Sequence, residues 1–117
     1  MMNKLIFSLL LSLFSFFGWS QKETGTASFY HNKFEGRKTS SGEVFHQNLY
    51  TCAHKTLPFG TMLKVTNLSN DSTVVVKVND RLPMKSKRVI DLTLTAAKQL
   101  NFVAKGLTKV DIEKVNP

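Results

Sequence analysis

Apolar and polar positions alternate with a period of two over several short stretches, the pattern of half-buried strands. Residues 25–30 alternate small with aromatic side chains, and residues 61–67 set Met62, Lys64 and Thr66 against Leu63 and Val65. Turn chemistry follows over 67–71, then a Val-rich stretch over 72–79, so 61–79 reads as a hairpin. The consecutive Val74, Val75 and Val76 predict burial on both faces, as in a closed barrel. A last strand is expected over 108–115, where Val110, Ile112 and Val115 punctuate polar residues. Helical spacing is found over 93–101, with Leu94, Ala97 and Leu100 on one face and Thr93 as cap. Residues 36–48 are polar and rich in Gly and Ser, and read as a long surface loop. Together these elements predict a small all-β barrel with one short helix.

The N-terminus follows a different pattern. Lys4 precedes an apolar run over 5–17 broken only by Ser8, Ser12 and Ser15, and Gly18 and Ser20 flank Trp19 before polar Gln21. That is the layout of a secretory signal peptide over 1–20. The run is shorter than the roughly 20 residues of a membrane-spanning helix, so no stable membrane anchor is expected after cleavage. Residues 21–117 then form one domain, expected to act as a monomer in the periplasm or cell envelope. The lone cysteine, Cys52, excludes a disulfide framework within the chain and reads as a small buried hydrophobe. Sixteen Lys and Arg stand against 8 Asp and Glu, a formal charge of +8 from which the leader removes only Lys4. An exported basic chain meets anionic wall and envelope polymers, and no nucleic acid partner is expected.

Two stretches are unusual for plain scaffold. One is Thr39-Ser40-Ser41-Gly42-Glu43 with Cys52-Ala53-His54-Lys55-Thr56-Leu57-Pro58-Phe59-Gly60-Thr61 after it, and the other is Val78-Asn79-Asp80-Arg81-Leu82-Pro83 followed by Val89-Ile90-Asp91-Leu92. Asp80 ends an apolar strand, where half-burial would raise its pKa by desolvation and suit it to general acid work. Spacing alone leaves each residue open. Asp80 equally serves as a turn cap or a partner for Arg81, Asp91 as a backbone acceptor before the helix, His54 as a satisfied core or turn histidine, and Glu43 as a solvated charge.

In this order the segments resemble the rare lipoprotein A family of septal-ring lytic transglycosylases. The likeness is carried by Gly25-Thr26-Ala27-Ser28-Phe29-Tyr30, by Gly36 through Glu43, by Ala53 through Thr61, by Val76-Lys77-Val78-Asn79-Asp80-Arg81 and by Ile90-Asp91-Leu92-Thr93. It implies a six-stranded double-psi β-barrel, a fold shared with expansins. It also implies cleavage of the β-1,4 bond between N-acetylmuramic acid and N-acetylglucosamine in peptidoglycan glycan strands, leaving 1,6-anhydro ends. The implied acid/base is Asp80, supported by Glu43 and His54 in one groove. Tyr30 is expected as an aromatic wall, with Thr39, Ser41, Asn79 and Asp91 as further substrate contacts. No metal or organic cofactor is called for.

Members often carry Gly after the Asp-Arg pair and an acidic residue three positions beyond the loop Glu, where this chain has Leu82 and His46. Many also continue into a C-terminal glycan-binding domain, whereas this sequence ends at Pro117. The rival expectation is a non-catalytic, expansin-like wall-binding module, since one fold hosts both behaviours.

Overall fold

A computed structural model describes residues 22–115. The expected signal peptide and its cleavage point lie outside the described residues. Among them, β1 (Glu23–Phe29), β2 (Thr51–His54), β3 (Met62–Asn67), β4 (Thr73–Arg81), β5 (Arg88–Leu92) and β6 (Thr108–Lys114) close into a barrel in the order β1-β5-β2-β4-β3-β6. The pairs β1–β5 and β2–β4 run parallel, and the other four contacts are antiparallel. The expected hairpin is β3–β4, in register from Met62↔Lys77 to Thr66↔Thr73.

Closure sorts side chains inward or outward by parity. Leu63 and Val65 on β3, Val74, Val76 and Val78 on β4, Ile90 and Leu92 on β5, and Val110 and Ile112 on β6 are all buried in one core with Cys52. The valine run does not bury both faces: Val74 and Val76 point in, while Val75 is 45 % exposed. A barrel strand still presents its alternate residues to solvent, so the period of two survives inside an apolar run.

Helix α1 (Leu94–Gln99) lies where its spacing predicts and buries Ala96 and Ala97. Thr93 occupies the N-cap position, but its hydroxyl donates to the Leu49 carbonyl. Gln47 does the capping, its Oε1 accepting from Leu94 N at 2.8 Å. The far end is clamped by the Leu100 carbonyl, which accepts from Asn67 Nδ2, Asn70 Nδ2 and Ser72 Oγ at 2.7, 3.1 and 3.1 Å. The β3–β4 turn, with Asp71 at φ 62°, is thereby tied to the helix.

Residues 36–48 form a loop, as expected, with a single bridge between Lys38 and Val44. Phe45 anchors it, 2 % exposed, its ring 4.4 Å from that of Tyr30. A 3-10 turn (Asn32–Phe34) leads in, and Phe34 packs edge-on to Tyr30 at 5.9 Å. The loop is therefore held against the end of β1 by an aromatic cluster separate from the main core.

Gly25 on β1 lies against Val89 of β5. A Cβ there would collide with Val89 Cγ1 and lie 3.0 Å from Cγ2. Gly25→Ala is therefore expected to lower stability by about 1–3 kcal/mol through overpacking, and Val89→Ala in the same chain should restore part of it. Urea unfolding of both variants checks this, and an unchanged midpoint in Gly25→Ala would contradict the close approach.

Candidate functional site

The parallel and antiparallel pairings place four positions in one row across the outside of the barrel: Ser28 on β1, Asp91 on β5, Ala53 on β2 and Asp80 on β4. A register shift opposite Cys52 and Ala53 turns Asp80 outward two residues after the core residue Val78. Two carboxylates thus stand on the same surface, separated by the small Ala53.

Their surroundings differ. Asp80 is half-buried and holds three donors: Tyr30 Oη reaches Oδ2 at 2.6 Å, and the backbone N–H groups of Ser40 and Arg81 reach Oδ1 at 2.9 Å each. Burial is the largest single influence and pushes its pKa up, but the donors together outweigh it and hold the carboxyl below the usual carboxylate value. This corrects the expectation of a pKa raised by desolvation. Asp91 is committed elsewhere, since Arg88 grips it with Nε at 2.7 Å and Nη2 at 3.1 Å, and Ser28 Oγ donates at 2.6 Å. It is held in an ion pair on the barrel wall.

Glu43 reaches the same region from the loop. Its Oε1 accepts from Asn79 Nδ2 at 3.1 Å and its Oε2 from Lys77 Nζ at 2.9 Å, and these bonds lower its pKa. Ser41 N donates to the Asn79 carbonyl, Thr39 Oγ1 to the Glu43 carbonyl, and Glu43 N to Ser41 Oγ. Gly42, at φ 91°, makes the turn that allows this closure. Thr39, Ser41, Glu43, Asn79 and Asp80 therefore form one connected edge, with Tyr30 as its far wall.

His54 does not join it. In β2 it follows Ala53 and pairs with the buried Ile90, on the opposite parity from Ala53, Asp80 and Asp91. Its Nδ1 accepts from Thr56 N and Leu57 N at 3.2 Å each, which assigns the proton to Nε2, donated to Glu23 Oε1 at 2.7 Å. Both ring nitrogens are spent and the side chain is 5 % exposed, and the donors to the Asp80 carboxyl are Tyr30, Ser40 and Arg81 rather than His54. His54 instead fixes the loop after β2 and the start of β1. Of the two departures, Leu82 is buried beside it, with its N–H on the His54 carbonyl, and His46 pairs with Glu35 at 2.6 Å at the base of the loop.

Tyr30 had been expected only as a wall. Its role as donor to Asp80 spans 50 positions of sequence, and two strands, β5 and β2, lie between β1 and β4 in the barrel. Burial above all, and then the same bond, push the phenol far above its ordinary pKa, so it remains a donor. Among the described residues no group of three or more His, Cys, Asp or Glu is placed to hold a metal ion.

Because Asp80's folded pKa is depressed, its contribution to stability is present above its unfolded pKa and is lost as pH falls through the folded value. Tyr30→Phe removes one of the donors responsible. The Asp80 carboxyl followed by ¹³C NMR should titrate at higher pH in Tyr30→Phe than in the parent, with acid unfolding also moved to higher pH. A carboxyl that titrates at the same pH in both proteins would show that the phenol does not hold it down.

Residues 22–112 match the sequence family described as lytic transglycolase. The endolytic peptidoglycan transglycosylase RlpA of Pasteurella multocida (strain Pm70) is 48 % identical over 91 residues, 78 % of this chain and 31 % of that relative. The protein of the same name from Neisseria meningitidis (serogroup A, strain Z2491) is 47 % identical over 95 residues, 81 % of this chain and 40 % of the relative. The chain thus spans about a third to two-fifths of the length of these curated relatives. Among solved structures, a Streptomyces papain inhibitor superposes with a TM-score of 0.65 at 23 % identity, covering 82 % of this chain and 96 % of the other. An expansin of Clavibacter michiganensis superposes with a TM-score of 0.63 at 22 % identity, covering 82 % and 51 %. These neighbours are double-psi β-barrels, the fold that the resemblance implied, and here too the barrel is closed by six strands. On sequence and on fold, the chain belongs to the lytic transglycolase family.

Proposed function

We propose that this protein is an exported lytic transglycosylase that cuts the β-1,4 bond between N-acetylmuramic acid and N-acetylglucosamine, with Asp80 as its acid/base. The relatives' names support the reaction and the substrate. The observation that carries the residue assignment is the contrast within one row of the barrel, where Asp91 is neutralised by Arg88 while Asp80 is in no ion pair among the described residues. A hydrolase of the two-carboxylate kind needs a second free carboxylate to activate water or attack the sugar. Here the second one is closed off, which favours a route in which the substrate supplies its own nucleophile.

The steps follow from that geometry. A glycan seated over Asp80 displaces water from a carboxyl whose largest single influence is already burial, which raises its proton affinity. The protonated carboxyl gives its proton to the glycosidic oxygen as the bond to C1 of the muramyl residue breaks. The resulting carboxylate takes the proton of the same residue's C6 hydroxyl while O6 closes on C1 as the 1,6-anhydro ring. Tyr30 orients Asp80 throughout, Glu43 with Thr39, Ser41 and Asn79 binds sugar hydroxyls along the loop edge, and His54 acts at a distance by positioning β2. In this reading residues 1–20 direct the chain through the membrane and are removed, which places the enzyme in the periplasm or envelope as a monomer. The second reading, a wall-binding module without turnover, is favoured by the ionised resting state of Asp80.

Replacing Asp80 by Asn keeps the shape and most hydrogen bonds but removes the transferable proton. General acid/base catalysis is typically worth about 100- to 10,000-fold, so release of anhydro-muropeptides from purified sacculi, read by mass spectrometry, should fall by at least the lower figure while sacculus pull-down persists. His54→Ala should reduce turnover less and lower thermal stability as well. Parent-like release by Asp80→Asn would remove Asp80 as the acid, and no release by the parent from any sacculus preparation would leave the binding module.

A further inference from the structure

Tyr30 donates to Asp80 from just past the end of β1, so the aim of its phenol depends on what fixes residue 30. Its N–H lies on the Leu92 carbonyl at 3.0 Å, and its ring rests against Phe34 and Phe45. Its carbonyl accepts from Gln47 Nε2 at 2.8 Å. Gln47 is half-buried, and all its polar groups are engaged. Nε2 also donates to Asn32 Oδ1 at 3.0 Å, Oε1 accepts from Leu94 N at 2.8 Å, the backbone N–H donates to Glu35 Oε1 at 2.8 Å, and the carbonyl accepts from Thr95 N at 3.2 Å.

The two ends of this amide do different work. A backbone N–H must meet its oxygen and a backbone carbonyl its nitrogen, so the partners fix which way it points. The oxygen caps α1, a task that any acceptor at this place performs. The nitrogen is not needed by the helix. It ties the Tyr30 carbonyl to the 3-10 turn and to the loop that carries Ser40, the second donor to Asp80. Gln47 lies between the motif segments 36–43 and 53–61 and belongs to neither.

We propose that Gln47 is a positioning residue for the acid/base, holding the Tyr30 main chain so that the phenol stays on the Asp80 carboxyl. This rests on the role proposed above for Asp80 and adds the side chain that fixes its donor. None of the hydrogen bonds of Gln47 goes to Asp80, so its effect passes through Tyr30.

Gln47→Glu separates the two tasks, because it keeps an oxygen for Leu94 N but sets a second carboxylate oxygen against the Tyr30 carbonyl in place of a donor. The other charged groups stay as they are: Arg81 beside Asp80, the pairs Asp91–Arg88 and Glu43–Lys77 around it, and Glu35–His46 beside Gln47. Followed by ¹³C NMR, the Asp80 carboxyl should titrate at higher pH in Gln47→Glu than in the parent. The added charge alone also raises it, so the substitution is repeated on Tyr30→Phe, where no phenol is left to misplace. There the rise should be less than half of that in the parent. An unchanged titration in Gln47→Glu overturns the proposal, and so does a rise of which half or more persists on Tyr30→Phe. If Gln47→Glu does not fold, Gln47→Met decides on the same two backgrounds, since it removes the donor without adding charge.

On the proposed reaction, Gln47→Glu should also release anhydro-muropeptides about 10- to 100-fold more slowly, the scale of a small misplacement near the reacting atoms, with sacculus pull-down unchanged. Parent-like release by this variant, from a parent that is active, means that Gln47 positions nothing the reaction uses and overturns the proposal. A parent that releases no anhydro products removes the lytic reading instead, and the titration, which needs no turnover, still decides whether Gln47 holds the phenol on Asp80.

Discussion

The Asp80 carboxylate is where three separate parts of the chain meet. A phenol from the end of the first strand, an amide from the long loop and the amide of the following residue all donate to it, at 2.6, 2.9 and 2.9 Å. Each donor depends on a different feature of the fold. Tyr30 follows β1 and is tied to the end of β5 by its N–H on the Leu92 carbonyl, Ser40 sits in the loop that the aromatic cluster of Tyr30, Phe34 and Phe45 holds down, and Arg81 follows the register shift between β2 and β4. Loss of the carboxylate would leave the buried phenol without its acceptor, a costly state for a polar group.

The same barrel row explains how one carboxylate is singled out. Asp80 and Asp91 share a face and are flanked by similar strands, yet Arg88 and Ser28 saturate Asp91 while Asp80 receives neutral donors only. Neutral donors lower a pKa without neutralising the charge, so the group keeps its capacity to exchange a proton when the surroundings dry out. In the proposed reaction this contrast leaves Asp80 as the acting carboxylate, and the basic character of the chain, +8 overall, suits an anionic polymer as its substrate.

Much of this was legible in the sequence, and what was not has physical reasons. Strands β1, β3, β4 and β6 showed their period, and α1 its spacing, because each has one face in the core and one in water. Strand β2 had no readable period, since Thr51 through His54 are all buried. Val75 was misjudged because a run of identical side chains hides alternation. Asp80 stood out from its place at a strand end, but the direction of its pKa depends on backbone donors from a loop 40 residues away. His54 belonged to the most recognisable motif, yet its partner Glu23 lies 31 positions back and on the other parity, and only the strand pairing shows that the imidazole faces away from the carboxyl.

The central claim is that the muramyl residue, not water, attacks its own C1. Digestion of peptide-free glycan strands by the intact protein in H₂¹⁸O, with mass spectrometry of the new chain ends, tests it directly. The expected products are 1,6-anhydro ends that carry no ¹⁸O, since the ring oxygen is the sugar's own O6. Reducing ends labelled with ¹⁸O would mean that water is the nucleophile and that a second carboxylate is active after all.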